Sequence, residues 1–275
     1  MSLRALPSLP TLCRVCHRWQ TRWLCAGCRV MAIEAPRRCA RCALPLQTRW
    51  LNSQPERTLC LQCEDLPPVF DHALAAMDYA EPWSGLVTAL KFRQDTALAD
   101  GLAGLVAAAV RQRWQVEPRG AMRRTWRAGA PTLLVPMPLS PQRWRERGYN
   151  QAALLARGLG QRLALPVHAD GLQRTQHTER LMRLDADARA SAIAQAFRVP
   201  TEHAAALRGR HVALVDDVLT TGATANAAAK ALWEAGAREV SVWVVARTPL
   251  PERHLAEEPS QHADGSVIDK IAIND

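Results

Sequence analysis

The sequence predicts an α/β protein, a parallel sheet covered by helices on both faces, preceded by a small cysteine-rich module. Three observations carry this. Short apolar runs alternate with helical patterns from about residue 73 to residue 246, as strand–helix–strand units require. All eight cysteines fall in CxxC pairs within the first quarter of the 275-residue chain. Between the two regions, EDLPPVFDH (64–72) reads as a linker. The expected division is a double zinc-ribbon module over 1–66, an α/β domain over 67–250, and a polar, aperiodic tail over 251–275 expected to be disordered.

The elements follow in order. Ala73–Tyr79 reads as a strand, and Pro82–Phe92 and Leu98–Trp114 as helices. The second helix places Leu98, Leu102, Leu105, Val106 and Val110 on one stripe. Thr132–Pro136 is a short buried strand, and Gln151–Leu163 an amphipathic helix that Asn150 can cap. Leu207–Asp216, Ala223–Ala235 and Val240–Ala246 make a strand–helix–strand unit, with Gly236 as the helix stop.

The cysteine pairs are Cys13/Cys16, Cys25/Cys28, Cys39/Cys42 and Cys60/Cys63. A CxxC turn aims two sulfurs at one centre, and two turns complete a tetrahedral thiolate shell, so eight thiols fit two structural Zn²⁺ sites. Disulfides are the competing reading; the opening MSLRALPSLPTLC has no long apolar segment, so no secretory leader and no oxidising compartment are expected. Four knuckles allow three pairings, of which the sequential one is simplest. Few core-forming residues accompany them beyond Leu12, Trp19, Trp23, Leu44 and Trp50, so metal must supply most of the module's stability. The module reads either as a structural cap and docking piece or as a direct contact to nucleic acid.

The formal charge of +9 suits an anionic partner. Only three of the 35 basic residues are lysines, a bias that GC-rich coding also produces, so the charge by itself does not choose. The loop VEPRGAMRRTWRAGAP offers Arg119, Arg123, Arg124, Arg127 and Trp126, which could contact phosphates and stack on a base, or form a solvated insertion. The longest smooth apolar stretch, around Leu102–Val110, is too short to cross a bilayer, so a soluble cytoplasmic protein without membrane insertion is expected.

The chemistry concentrates in VALVDDVLTTGAT (212–224). Ligands of open α/β sheets bind beyond the carboxyl ends of strands, where Asp216 and Asp217 fall. Thr220, Thr221, Gly222, Ala223 and Thr224 then turn into a helix whose free N–H groups, dipole and hydroxyls form a phosphate cradle. Carboxylates would repel that phosphate; they suit two vicinal hydroxyls and a hydrated Mg²⁺. Phosphate on one side and diol on the other describe a ribose 5-phosphate. Upstream, VPMPLSPQRWRERGYNQ (135–151) sets Arg143, Arg145 and Arg147 close together, suited to a pyrophosphate.

The thirteen-residue stretch resembles the PRPP-binding signature of type I phosphoribosyltransferases. With RGYNQ, LKF at 90–92, L-x-R-x-x-x-T at 172–178 and the leading cysteine knuckles, the chain from Cys13 to about Pro249 resembles the ComF family. The resemblance implies the type I phosphoribosyltransferase fold. It implies that Asp216 and Asp217 hold the ribose hydroxyls, that Val218 and Leu219 belong to the same binding segment, and that Thr220–Thr224 hold the 5′-phosphate of PRPP, with Mg²⁺. It also implies a role in DNA uptake and natural transformation, with single-stranded DNA and the uptake motor and loading proteins as partners. HTERLMRLDADAR (177–189) corresponds to the loop that covers such sites, where His177, Glu179 and Arg180 could close over pyrophosphate or belong to a solvated loop with ordinary charge alternation. The wider segment departs from the family pattern at Leu181 and Ala192 but keeps Arg189 and Ala196-Phe197. Two classes of function follow: transfer of a phosphoribosyl group from PRPP to a nitrogenous acceptor, with Asp216, Asp217, Arg143, Arg145 and Arg147 as catalytic candidates, or a non-catalytic component that binds single-stranded DNA or senses PRPP.

Overall fold

The computed structural model describes residues 10–33, 37–46, 55–114, 129–175 and 196–250. The cysteine-rich segment contains β1 (Thr11–Leu12), β2 (Trp19–Gln20), α1 (Ala26–Ile33) and α2 (Leu61–Asp65). There follow β3 (His72–Asp78), α3 (Ser84–Phe92), α4 (Leu98–Trp114), β4 (Leu133–Pro136), α5 (Pro141–Arg147) and α6 (Gln151–Leu163). The chain continues with β5 (Gln173–Arg174), β6 (Phe197–Arg198), α7 (Thr201–Leu207), β7 (His211–Leu219), α8 (Ala223–Glu234) and β8 (Glu239–Arg247).

Four strands form one sheet in the order β3-β8-β7-β4, every neighbouring pair parallel. The two central strands are covered on both faces, which is why VALV and VSVWVVA are apolar at nearly every position. Strand alternation sends Ala213 and Val215 into a core with Leu102 and Val106 of α4 and Leu155 and Leu159 of α6. Val212 and Leu214 enter a second core on the opposite face, with Ala228 and Leu232 of α8. The expected α/β architecture is therefore present, with helices on both faces. No helix among the described residues is long and apolar enough to cross a membrane.

Four details differ from the sequence reading. Leu207 does not start a strand but ends α7, and the strand runs on to Leu219 because Val218 and Leu219 keep pairing with Ala246 and Arg247 of β8. Residues 141–147 form a helix; Ser140 caps it, accepting from the Arg143 N–H at 3.3 Å, and Pro141 sits in its first turn. No residue of α5 is buried, so no apolar stripe marks it in the sequence. The second half of the linker is stitched to the sheet domain. Phe70 is buried, the Val69 N–H donates to Asn226 Oδ1 at 2.9 Å, and Asp71 and Val240 exchange two hydrogen bonds. Lastly, Leu12 and Trp19 are exposed, Trp19 by 72%, because the β1–β2 hairpin turns its side chains outward.

Leu44 is buried as expected, and Trp23 packs on α4, where a methyl added at Gly101 would come within 2.3 Å of its ring. Trp50, the arginines of 119–127 with Trp126, the segment 177–189 with its site candidates, Ala192 and the tail from residue 251 lie outside the described residues.

Candidate functional site

A cavity of about 460 Å³ opens at the carboxyl ends of β4, β7 and β8. The element order explains its lining: parallel strands direct all their carboxyl ends, and the loops that follow, to one edge of the sheet. Asp216, Asp217, Val218, Leu219, Thr220, Gly222, Thr224 and Ala225 line it from β7 and the start of α8. Opposite stand Arg143 and Arg147 of α5 and Gln151 of α6, with Lys91 of α3 and Arg174 of β5 completing the wall.

The two aspartates are neighbours on a strand, so alternation turns them to opposite faces. Asp217 is 2% exposed and its Oδ1 pairs with Lys91 Nζ at 2.9 Å, while its Oδ2 has no hydrogen-bond partner. Asp216 keeps some exposure, and its Oδ1 accepts from the Asp217 N–H at 2.8 Å. Desolvation and then the Asp217 charge push the Asp216 carboxyl up to about 7, with Lys91 opposing. One carboxylate is thus held by a lysine while the other is poised to titrate near neutrality.

Gly222 precedes α8 with φ +88°, a left-handed conformation that a side chain would strain. It brings the N-terminus of α8 to the cavity with no side-chain cap from Gly222, so the N–H groups of Thr224 and Ala225 remain available to an anion. Of the expected segment, Thr221 and Ala223 do not line the cavity: the Thr221 hydroxyl accepts from the Ala223 N–H at 3.4 Å.

RGYNQ divides its work residue by residue. Arg147 lies 5.2 Å over the Phe92 ring with its Nη1 buried and unpartnered. Gly148 ends α5, and the Tyr149 hydroxyl donates to the Leu90 carbonyl, tying the corner to α3. Asn150 caps α6, accepting from the N–H groups of Ala152 (2.9 Å) and Ala153 (3.3 Å), and donates to the Met137 carbonyl at 3.0 Å. Gln151 Oε1 is buried without a partner at the cavity wall. Helical spacing separates the arginines: Arg143 and Arg147, four apart, share the cavity face. Arg145 does not line the cavity, and its Nε donates back to the Pro141 carbonyl at 3.4 Å.

Lys91, Gln151 and Arg174 received no role from sequence reasoning although each lies in a quoted motif, LKF, RGYNQ and L-x-R-x-x-x-T. Arg174 stacks 5.3 Å over Phe197; burial and then the nearby Arg143 charge lower its pKa. Four cations against two carboxylates leave the cavity net positive, suited to a polyanion.

The eight cysteines gather as two tetrads, Cys13/Cys16/Cys25/Cys28 and Cys39/Cys42/Cys60/Cys63, in each of which the sulfurs lie within 4.8 Å of one another. Cys16 and Cys25 sulfurs are 3.6 Å apart, as are those of Cys42 and Cys60. Tetrahedral Zn–S bonds of about 2.3 Å imply sulfur–sulfur edges of about 3.8 Å, so both shells fit zinc. Main-chain N–H groups already point at sulfur: Cys25 to Cys13 (3.4 Å), Cys28 to Cys25 (3.4 Å) and Cys60 to Cys39 (3.3 Å). The thiols compete for protons. Desolvation raises Cys13, but the N–H groups of Cys16, Cys25 and Val15 bring it down to about 6, while burial first and neighbouring thiols next push Cys28 up to about 12. A metal ion would draw the proton from every thiol in the shell.

Similarity to known proteins agrees with this geometry. The phosphoribosyl transferase domain family matches residues 151–272. DNA utilization protein YhgH of Escherichia coli K12 is 30% identical over 243 residues, covering 88% of this chain and 98% of that protein. Competence protein F of Haemophilus influenzae is 33% identical over 224 residues, covering 82% of this chain and 90% of its own length. Competence protein ComFC of Bacillus subtilis is 36% identical over 120 residues, 42% of this chain and 45% of that protein.

Proposed function

The chain belongs to the ComF family, and from that premise we propose that it serves DNA uptake and natural transformation through a cavity that binds PRPP or ribose 5-phosphate with Mg²⁺. One observation carries the reading: a carboxylate pair and an uncapped helix N-terminus face one net-positive cavity. In this reading Thr220, Gly222 and Thr224 receive the 5′-phosphate, and Asp216 accepts from a ribose hydroxyl. Asp217, fixed by Lys91, offers its unpartnered Oδ2 to the second hydroxyl or to the hydration shell of Mg²⁺. Arg143, Arg147 and Arg174 surround the pyrophosphate, and Gln151 Oε1 accepts from ligand. The domains follow as 1–66, 67–250 and a tail from 251, in a cytoplasmic protein with two zinc centres.

Turnover would break the bond between ribose C1 and a pyrophosphate oxygen and form a C1–N bond to a nitrogenous acceptor, whose proton departs. Bound Mg²⁺ would neutralise pyrophosphate charge. The arginines stabilise the leaving group as it gains charge, and the fixed cavity positions C1 toward the acceptor. Calorimetry with PRPP and Mg²⁺ tests the binding. The wild-type chain binds, and Asp216→Ala with Asp217→Ala abolishes it; a wild-type chain that binds no PRPP refutes the reading. Pyrophosphate release across a panel of nucleobases then decides between turnover and sensing.

A second reading, a component that binds single-stranded DNA and contacts motor and loading proteins, is favoured by two aromatics beside the cavity arginines. Trp144 is 53% exposed and Phe92 67% exposed, and Arg147 lies over the latter. Such rings next to cations suit base stacking with phosphate contact. Affinity for single-stranded DNA that is insensitive to salt would sink this reading, because phosphate engagement releases counterions.

A further inference from the structure

The two cysteine tetrads are attached to the sheet domain in different ways. The first docks through packing: Cys13, Leu24, Cys28 and Ala32 join the core formed by α4 and α6, on a helix-covered face of the sheet. Cys16 is exposed, and an Arg14–Asp95 ion pair adds a surface contact. None of these residues lines the cavity. The second tetrad is buried at all four cysteines and forms a small core with Leu44, Leu46 and the partly buried Leu59 and Leu250, while Ala43, beside Cys42, packs into the sheet's second core with Leu219.

The hydrogen-bonded link from this second core to the cavity runs through Arg247, the last residue of β8 and only 6% exposed. Its Nε donates to the carbonyl of Cys42 at 2.9 Å. Its Nη1 donates to the carbonyls of Leu219 (3.0 Å), Thr220 and Thr248 (2.8 Å). One planar guanidinium therefore spans a metal-ligand residue and the first residues of the anion loop, in which Leu219 and Thr220 line the cavity. A second strut runs alongside. Arg38 donates to Asp78 Oδ1 at 2.7 Å and to the Ala43 carbonyl at 3.2 Å, and Asp78 is the β3 residue paired in register with Arg247.

Charge argues in the same direction. Arg247 makes all four of these bonds to main-chain carbonyls, and among the described residues it has no carboxylate partner. A buried cation in that position needs opposite charge nearby. Four thiolates around Zn²⁺ carry a net charge of about −2, and this shell is one residue's length from the guanidinium.

We propose that Arg247 is a positioning residue through which metal at Cys39/Cys42/Cys60/Cys63 holds the Leu219–Gly222 loop in its anion-binding conformation. Metal at the first tetrad has no such influence. The proposal rests on the reading that this loop receives the ligand phosphate. Linkage makes the effect reciprocal: a phosphate ligand must slow loss of the second metal by the same coupling.

The test uses the full chain and ribose 5-phosphate as probe, with affinity from calorimetry and metal release to a chromogenic chelator. Cys60→Ser, which disables the second shell, weakens binding about tenfold or more, within the usual range of coupling between sites. Cys28→Ser weakens it less than about threefold, within the spread expected without coupling. Arg247→Lys keeps the positive charge but cannot span the Cys42 and Thr220 carbonyls; it retains both metals yet binds about tenfold more weakly. In the wild-type chain ribose 5-phosphate slows release of one metal of two, and in Arg247→Lys it slows neither. Should Arg247→Lys lose its cooperative melting transition, Arg38→Gln with the same two readouts probes the neighbouring strut and is expected to lose part of the coupling. Equal losses in Cys60→Ser and Cys28→Ser, or wild-type affinity in the positioning variants, overturn the proposal while leaving phosphate binding intact. Absence of binding by the wild-type chain overturns both.

Discussion

The two ends of β7 bury polar side chains on opposite terms. At the amino end His211 is 1% exposed, and both ring nitrogens are engaged, Nδ1 donating to the Gly129 carbonyl and Nε2 accepting from the Ser241 hydroxyl, each at 2.7 Å. At the carboxyl end Asp217 is equally buried, yet its Oδ2 has no partner and its neighbour Asp216 is pushed toward neutrality. A strand of uniform apolar character thus ends in a completed network on one side and an incomplete one on the other. Buried polar groups are normally satisfied, so the closed network reads as structure and the open one as a place that ligand completes.

The comparison breaks first at His211. Replacing it by Ala leaves the Gly129 carbonyl and Ser241 hydroxyl unpartnered beside a void, and should cost about 3 kcal/mol in urea unfolding. Ligand affinity of the folded fraction should not change; a loss under about 1 kcal/mol would contradict a structural role. Burial holds His211 neutral, with its pKa down at about 4. A base depressed in the folded state contributes stability that is present above its unfolded pKa of about 6.5 and lost as pH falls toward 4. Stability measured in that window should therefore decline on acidification.

Asp216 should behave in the opposite sense. Its folded pKa is raised, so its contribution is complete below the unfolded value of about 3.8 and lost as pH rises through about 7. Asp216→Asn removes that cost: it should raise stability by about 1–2 kcal/mol at pH 8, leave it unchanged near pH 4, and weaken PRPP binding. Thermal unfolding at the two pH values checks the sign. A variant less stable than wild type at pH 8 would place Asp216 with the structural groups.

Gln151 gives the smallest effect on folding. Its Oε1 has no partner to lose, so Gln151→Ala should change stability by less than about 1 kcal/mol while lowering ligand affinity severalfold. An equal effect on both would mean that the side chain belongs to the fold.

Local chemistry made part of this readable in advance. VALVDDVLTTGAT announces a buried strand, an aspartate pair at its end and a glycine turn into a helix because each is a short-range pattern, and Asn150 announces its cap in the same way. The CxxC spacing likewise announced two thiolate shells. Illegible parts depend on distant segments meeting. Lys91, Arg174 and Asp217 share a cavity only because α3, the separate β5–β6 hairpin and β7 meet in three dimensions. The sequence groups Arg145 with Arg143 and Arg147 because α5, which buries no residue completely, has no apolar period to reveal its rotation. The role of Arg247 was equally hidden, since a buried arginine bonded to carbonyls leaves no pattern in its own neighbourhood.

The separation of 205 residues between Cys42 and Arg247 also orders events during synthesis. Both thiol shells are complete in the nascent chain long before β8 emerges, so metal can be acquired while most of the sheet is still unmade. The latch to the anion loop closes only when the last strand enters between β3 and β7. A ribosome-bound or truncated chain ending before Arg247 would keep both cysteine tetrads yet lack this clasp, which is among the last contacts of the fold to form.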